Sequence, residues 1–207
     1  SEPSDGTNGR SIPTPRGKVI GGSSSINGLI FNRGQRMDFD VWAQRGNKGW
    51  GYDDILPYFR RYESHQDISD DKFRGKTGEM TITNLGWRDP LCEAFIEGAA
   101  SLGIPRNPDY NGETQLGTSY VQRSSTGKIR MSAARAFLKP AKKRGNLTVI
   151  TNAYATEILL DGKKAVGVAY RRGGASGMTL KILAAREVII SGGTINSPHL
   201  LQLSGIG

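Results

Sequence analysis

The chain has 207 residues, 36% of them hydrophobic and 23% charged, with a formal net charge of +9 and a single cysteine. A packed core of one sizeable domain, or one domain with an insert, is feasible at this length and composition. No apolar run approaches the roughly 18 residues of a membrane helix, so no membrane span is expected, and one cysteine excludes an internal disulfide or a CxxC metal or redox site.

Residues 1–18 are rich in Gly, Pro and Ser and read as extended loop. Val19-Ile20 then leads into Gly21-Gly22-Ser23-Ser24-Ser25, followed by Ile26, Leu29 and Ile30 at helical spacing, with the serines as N-caps. Asp38-Phe39-Asp40-Val41-Trp42 begins a helix with acids in its first turn. A second helix is predicted over Tyr52–Arg61, capped by Asp53 or Asp54. A short strand follows at Glu79–Thr83. Asp89–Leu102 is the clearest helix, with Leu91, Phe95, Ala99 and Leu102 on one face, a buried Cys92, and Gly103 as the stop. Residues 104–117 are loop.

After Ser132 the texture changes to strands: Leu147–Thr151, then Ala155–Leu160 and Ala165–Arg171 joined at Asp161-Gly162, a turn at Gly173–Gly177, and Met178–Leu183. Glu187–Ser191 reads as a strand buried on both faces. Gly192-Gly193 turns the chain into a helix that starts at Asn196-Ser197-Pro198 and stops at Gly205.

The basic balance invites a nucleic-acid reading, and Lys139-Pro140-Ala141-Lys142-Lys143-Arg144 is its densest cluster. No aromatic-interleaved stripe or helix-turn-helix accompanies it, so a solvated helix end is expected and no nucleic-acid partner. Gly75-Lys76-Thr77 lacks the upstream glycine of a phosphate-binding P-loop, because Asp70 stands there. Asn146-Leu147-Thr148 enters a predicted strand and reads as a chance glycosylation triplet. His65 lies in a polar stretch and is expected at the surface. His199 is expected in the first turn of the last helix, in a structural or ribose-side role.

Two segments present glycines, hydroxyls and backbone N–H groups in patterns that suit a bulky phosphorylated ligand: Gly21–Gly28 and Ser191–Gly205. Gly21-Gly22-Ser23-Ser24-Ser25-Ile26-Asn27-Gly28-Leu29-Ile30-Phe31-Asn32-Arg33-Gly34 and Ser191-Gly192-Gly193-Thr194-Ile195-Asn196-Ser197-Pro198-His199-Leu200-Leu201-Gln202-Leu203-Ser204-Gly205-Ile206-Gly207 resemble the two consensus motifs of the glucose–methanol–choline (GMC) oxidoreductases. Gly49-Trp50-Gly51-Tyr52 and Leu56-Pro57-Tyr58-Phe59 fit between them. The resemblance spans essentially the whole chain and is nearest to the choline dehydrogenase and bacterial alcohol dehydrogenase branch.

The resemblance implies an α/β fold: part of a glutathione-reductase-like FAD-binding domain with a β-meander and a largely helical insert from the substrate domain. The implied divisions are residues 1–34 for the FAD-binding loop and helix, 35–130 for the substrate-side insert, and 131–207 for the meander and strand–turn–helix. Carried over by position, Ser23 lies by the pyrophosphate, with Val19 and Gly22 also among the cofactor-binding residues. Asn27, Gly28, Leu29 and Ile30 lie along the flavin, Ala155 holds the adenine, and Ser191 and Gly192 lie near the adenosine. Some members attach flavin through a His just before the Asn. Ile26 stands there, so non-covalent FAD is implied.

The activity implied is oxidation of a small-molecule alcohol, with hydride passing from the carbinol carbon to flavin N5 and electrons to O2, a quinone or a dye. No GxGxxG unit and no catalytic-histidine region are found, so the chain reads as an interior piece of a longer protein with no catalytic residue of its own; no leader pattern is visible, which in a fragment says nothing of the parent's address, and the localisation is open with a cytoplasmic one favoured. A non-redox FAD-containing lyase of the same family and a basic nucleic-acid-binding module are the rival readings.

Overall fold

The computed structural model describes residues 2–173 and 176–207. Helices and small sheets are mixed, the class expected, and the chain divides into two compact units, Ser1–Leu147 and Thr148–Gly207.

In the first unit, α1 (Arg36–Gln44) and α2 (Tyr52–Tyr62) begin where acids favour a helix N-terminus. Gly51 caps α2, and Asp53 and Asp54 fall inside its first turn. Neither acid is needed as a cap, because Asp40 of α1 accepts the Tyr52 N–H at 2.9 Å. Asp53 instead holds Arg36 in a two-pronged pair at 2.7 and 2.8 Å. Phe39, Tyr52 and Phe59 pack at tilted or edge-on angles, and Trp42 packs against Phe39 and Trp50. These aromatics pack on one another, although Trp42 and Trp50 keep about half their surface exposed.

Strand β1 (Glu63–His65) runs parallel to β2 (Met80–Asn84), and β2 pairs antiparallel with β3 (Gln122–Arg123). Ile82, in the middle of β2, is fully buried. The unit also has a charged core. Glu63 and Arg74 have completely buried side chains joined at 2.8 Å. Glu63 also pairs with Arg33, and Arg74 with Asp109. Gln122 Oε1 accepts from Arg74 at 3.0 Å and from Asn111 Nδ2 at 2.7 Å. Two guanidinium groups thus face two carboxylates, the pairing that makes buried charge tolerable.

Helix α3 (Pro90–Ser101) is capped by Asp89, whose Oδ1 accepts from Leu91 N and Cys92 N at 2.9 and 3.2 Å, with Pro90 in the first turn. Its expected apolar face does not pack inward: Leu91, Phe95 and Leu102 are 80%, 71% and 82% exposed, and Ile96 is the buried residue. Cys92 is likewise exposed. Spacing identifies which side chains share a face and is silent on which face is covered. His65 departs in the opposite direction. It is buried, and its Nδ1 accepts from both Asp67 N and Ile68 N at 3.1 Å.

The second unit is a meander plus a helix. Strands β4 (Ala153–Asp161), β5 (Lys164–Arg172) and β6 (Met178–Leu183) pair antiparallel in order. The β4–β5 turn is Gly162-Lys163, with Gly162 at φ +57. The centre of the predicted Gly173–Gly177 turn lies outside the described residues. Helix α5 (Gly193–Leu203) starts three residues earlier than expected, with Gly192 as its cap and Pro198 inside it. His199 is therefore past the first turn, and it is exposed. Ser204 docks the helix end: its hydroxyl accepts from Ile158 N of β4 at 2.8 Å and donates to Leu200 O at 2.7 Å. The strands expected at residues 147–151 and 187–191 are not formed, because no strand pairs with either among the described residues.

Candidate cofactor-binding segments

The glycine–serine segment is not the start of a helix. Gly21 and Gly22 take φ of +93 and +56, and one 3-10 turn covers Gly22–Ser25. Gly21 is required by space as well as by φ, since a Cβ there would lie 2.5 Å from Ser25 Oγ and 3.1 Å from Ala134 Cβ. The three hydroxyls are used locally: Ser23 Oγ accepts from Gly17 N at 3.3 Å, Ser24 Oγ accepts from Ala133 N at 2.9 Å, and Ser25 Oγ donates to Ile20 O at 3.0 Å. Val19 O receives the Gly22 N–H at 2.8 Å and closes the turn before it.

Beyond Ile26 the chain is extended, which corrects the expected Ile26–Ile30 helical face. Leu29 adopts φ +68, a conformation no helix continues through, and Asn27 Oδ1 receives its N–H at 3.2 Å. Residues 29–31 then lie along β3: Ile30 bridges Arg123, Ser124 N donates to Leu29 O at 2.9 Å, and Phe31 N donates to Gln122 O at 2.9 Å. Tyr110 Oη and Asn111 Nδ2 both donate to Phe31 O, at 2.9 and 3.1 Å. The segment is thereby tied to the charged core through Asn111 and Gln122.

These residues make a surface suited to a flat, partly anionic ligand. Val19, Ile20, Ile26 and Ile30 expose about half of their surface. Gly22 and Gly28 have open space where a Cβ would stand, so a ligand could approach the backbone there. Two basic and backbone features that the sequence did not single out support the segment from behind. Arg130 Nη1 donates to Ser24 O at 3.2 Å and Asn27 Oδ1 at 2.7 Å. The π-helical turn Ala134–Leu138, with Ala133, frames an apolar cleft of about 380 Å³ against Gly21. Such turns are rare and concentrate at functional sites, but no residue-level pattern announces one. A roomier cleft of about 840 Å³ is lined by Arg33, Arg36, Tyr52, Lys72 and Leu116 among others, and includes none of the predicted cofactor residues.

In the second unit, Ala155 is exposed on β4 opposite Tyr170, directly before a register shift between Ala155 and Glu157. Bulges of this kind re-aim side chains and cluster near sites. Ser191 and Gly192 are exposed at the start of α5, and a Cβ on Gly192 would press on Asn196 Cβ at 3.3 Å. Val19, Gly22, Ser23, Asn27, Gly28, Leu29 and Ile30 thus share one continuous stretch of the first unit, while Ala155, Ser191 and Gly192 belong to the second. His65 is buried with Nδ1 occupied, His199 is exposed, and no group of three or more metal-ligating side chains occurs among the described residues.

Residues 4–207 match the GMC oxidoreductase family model, and the chain belongs to that family. It is 47% identical over its whole length to the oxygen-dependent choline dehydrogenase of Brucella ovis, of which it covers 37%. Among solved structures, an FAD-dependent oxidoreductase from Chaetomium thermophilum superposes with a TM-score of 0.92 at 28% identity, over 100% of this chain and 37% of the other. Pyridoxine 4-oxidase from Mesorbium loti gives a TM-score of 0.88 at 33% identity, over 100% of this chain and 40% of the other. The chain therefore spans a little over a third of the length of these relatives.

Proposed function

We propose that this chain forms the FAD-holding part of an alcohol oxidoreductase. The observation that carries the reading is the segment 19–30: a half-exposed aliphatic wall interrupted by two glycines with open space, backed by Arg130 and pinned to a rigid buried network. Gly22 and Ser23 would lie by the pyrophosphate, and Asn27, Gly28, Leu29 and Ile30 along the isoalloxazine. Ala155, Ser191 and Gly192 would hold the adenosine end. Bound FAD supplies a hydride acceptor at N5, while the protein provides orientation and electrostatics. The residues of this chain position the cofactor and exclude water from one of its faces. The base that takes the alcohol proton would come from outside these residues. Ile26 offers no nucleophile for flavin attachment, so the cofactor is held without a covalent bond there. In domain terms, residues 1–34 and 131–207 serve the cofactor and residues 35–130 the substrate side.

The test uses the full-length gene product, reconstituted with FAD, mixed anaerobically with choline and a panel of primary alcohols. The expected result is loss of the oxidised-flavin absorbance with one equivalent of aldehyde formed. A yellow protein that cleaves an alcohol without bleaching would support the lyase reading instead. A protein that takes up no FAD would overturn the proposal.

A further inference from the structure

We infer that Arg130 is a positioning residue that fixes the polarity of the Asn27 amide, so that Asn27 presents a hydrogen-bond donor to the flavin. This rests on the cofactor reading of segment 19–30. Asn27 Oδ1 lies between two groups that can only donate: the Arg130 guanidinium at 2.7 Å and the Leu29 N–H at 3.2 Å. The atom facing both must therefore be the oxygen. The Nδ2 hydrogens are then turned away from the protein, and Nδ2 has no hydrogen-bond partner among the described residues, on a side chain that is exposed.

An arginine suits this task for two reasons. It has no acceptor and never loses its proton, so it cannot tolerate the flipped amide at any working pH. It is also anchored a second time, on Ser24 O at 3.2 Å, so the guanidinium spans both ends of the Ser24–Asn27 turn. Without it, Leu29 N–H alone would hold the amide, through a single 3.2 Å bond. A fixed donor favours the electron-rich reduced cofactor over the oxidised one, because a hydrogen bond strengthens as its acceptor gains charge. Arg130 would thus raise the flavin midpoint potential without touching the flavin.

Three variants of the FAD-loaded, full-length protein test this: Arg130→Met, Arg130→Lys and Asn27→Asp. Readouts are the midpoint potential, the FAD dissociation constant and the melting temperature of the apoprotein. In Asn27→Asp one carboxylate oxygen still accepts from Arg130 and Leu29, so the turn is kept, and the other places an acceptor where the donor was. The expected result is a lower potential in Asn27→Asp by roughly tenfold in the reduction equilibrium or more, ~30 mV for a two-electron couple. Arg130→Met should shift it in the same direction by less, with weaker FAD binding, and Arg130→Lys should restore most of the loss. If the wild type binds FAD and Asn27→Asp leaves its potential unchanged, the inference fails while the cofactor reading stands. If the wild type binds no FAD, the cofactor reading itself fails. If Arg130→Met lowers the apoprotein melting temperature but Asn27→Asp moves no potential, Arg130 is only a structural clamp, and the inference is likewise overturned.

Discussion

Glu63→Gln is the sharpest test of the charged core. The carboxylate is fully buried and accepts from Arg74 Nε at 2.8 Å while pairing with Arg33. Glutamine keeps the shape, but exchanges one acceptor oxygen for an NH2 group. Both guanidinium groups can only donate, so one of them must then face N–H hydrogens. Of the two buried cations, Arg74 would keep Asp109 as a carboxylate partner, whereas Arg33 would lose the carboxylate it pairs with. Breaking a buried pair by altering one member costs about 3–5 kcal/mol, against ~5–15 kcal/mol of total stability for a typical domain. All three tryptophans, Trp42, Trp50 and Trp87, lie in the first unit, so urea unfolding followed by tryptophan fluorescence reports on that unit. The expected result is a large fall in midpoint at an unchanged slope. A loss under ~1 kcal/mol would refute the argument, because it would mean that water already screens the cluster. Replacing Arg33, Glu63 and Arg74 together with apolar side chains of similar volume should cost less than Glu63→Gln alone, since no orphan charge remains.

Four other outcomes are expected. Gly21→Ala combines a φ of +93 with a Cβ 2.5 Å from Ser25 Oγ and should cost about 1–3 kcal/mol in the apoprotein, read from thermal melting. Gly22→Ala meets no atom but sits at φ +56, so it should cost about 1–2 kcal/mol in the apoprotein and show a further loss of FAD affinity in a fluorescence titration. Burial first, and then the Arg74 cation, hold the His65 pKa below its ordinary value. The unfolded chain therefore takes up a proton that the folded chain refuses. The stability His65 supports is complete above pH ~6.5 and is lost as pH falls from there through the folded pKa, at up to ~1.4 kcal/mol per pH unit. His65→Asn, whose Oδ1 can still accept from residues 67 and 68, should flatten that part of a pH–stability curve. Asp89→Ala removes the acceptor for Leu91 N and Cys92 N and should cost ~1 kcal/mol, measured by denaturation.

Local patterns in the sequence located most of the elements. The acids in the first turns of α1 and α2, Asp89-Pro90 at the start of α3 and Asp161-Gly162 at the β4–β5 turn act within a few residues of themselves, so they read directly. What failed depended on distant partners. Ile26, Leu29 and Ile30 have helical spacing, yet Asn27 and the β3 strand nearly a hundred residues away impose an extended path. His65 sits among polar neighbours, but β2 pairs alongside it, and Arg74 and Asp109 from further along the chain act on its charge. Arg130 carries no local mark at all, and its role emerges only from the two acceptors it reaches across 103 and 106 residues of sequence. The candidate segments stood out in the sequence because glycine and serine density is itself a local signal. The groups that hold them in place were not.

The unpaired stretches at residues 147–151 and 187–191 have a practical side. Leu147-Thr148-Val149-Ile150 and Val188-Ile189-Ile190 are rich in β-branched side chains, carry no charge and form no ladder among the described residues, and Ile189 is 79% exposed. Backbone in that condition is a template for another strand. A concentrated preparation of these 207 residues by themselves should therefore self-associate, with light scattering that rises with protein concentration and falls when a lysine is placed at Val149 or Ile189. Solubility, more than activity, is then the first property to engineer before these residues are handled in isolation.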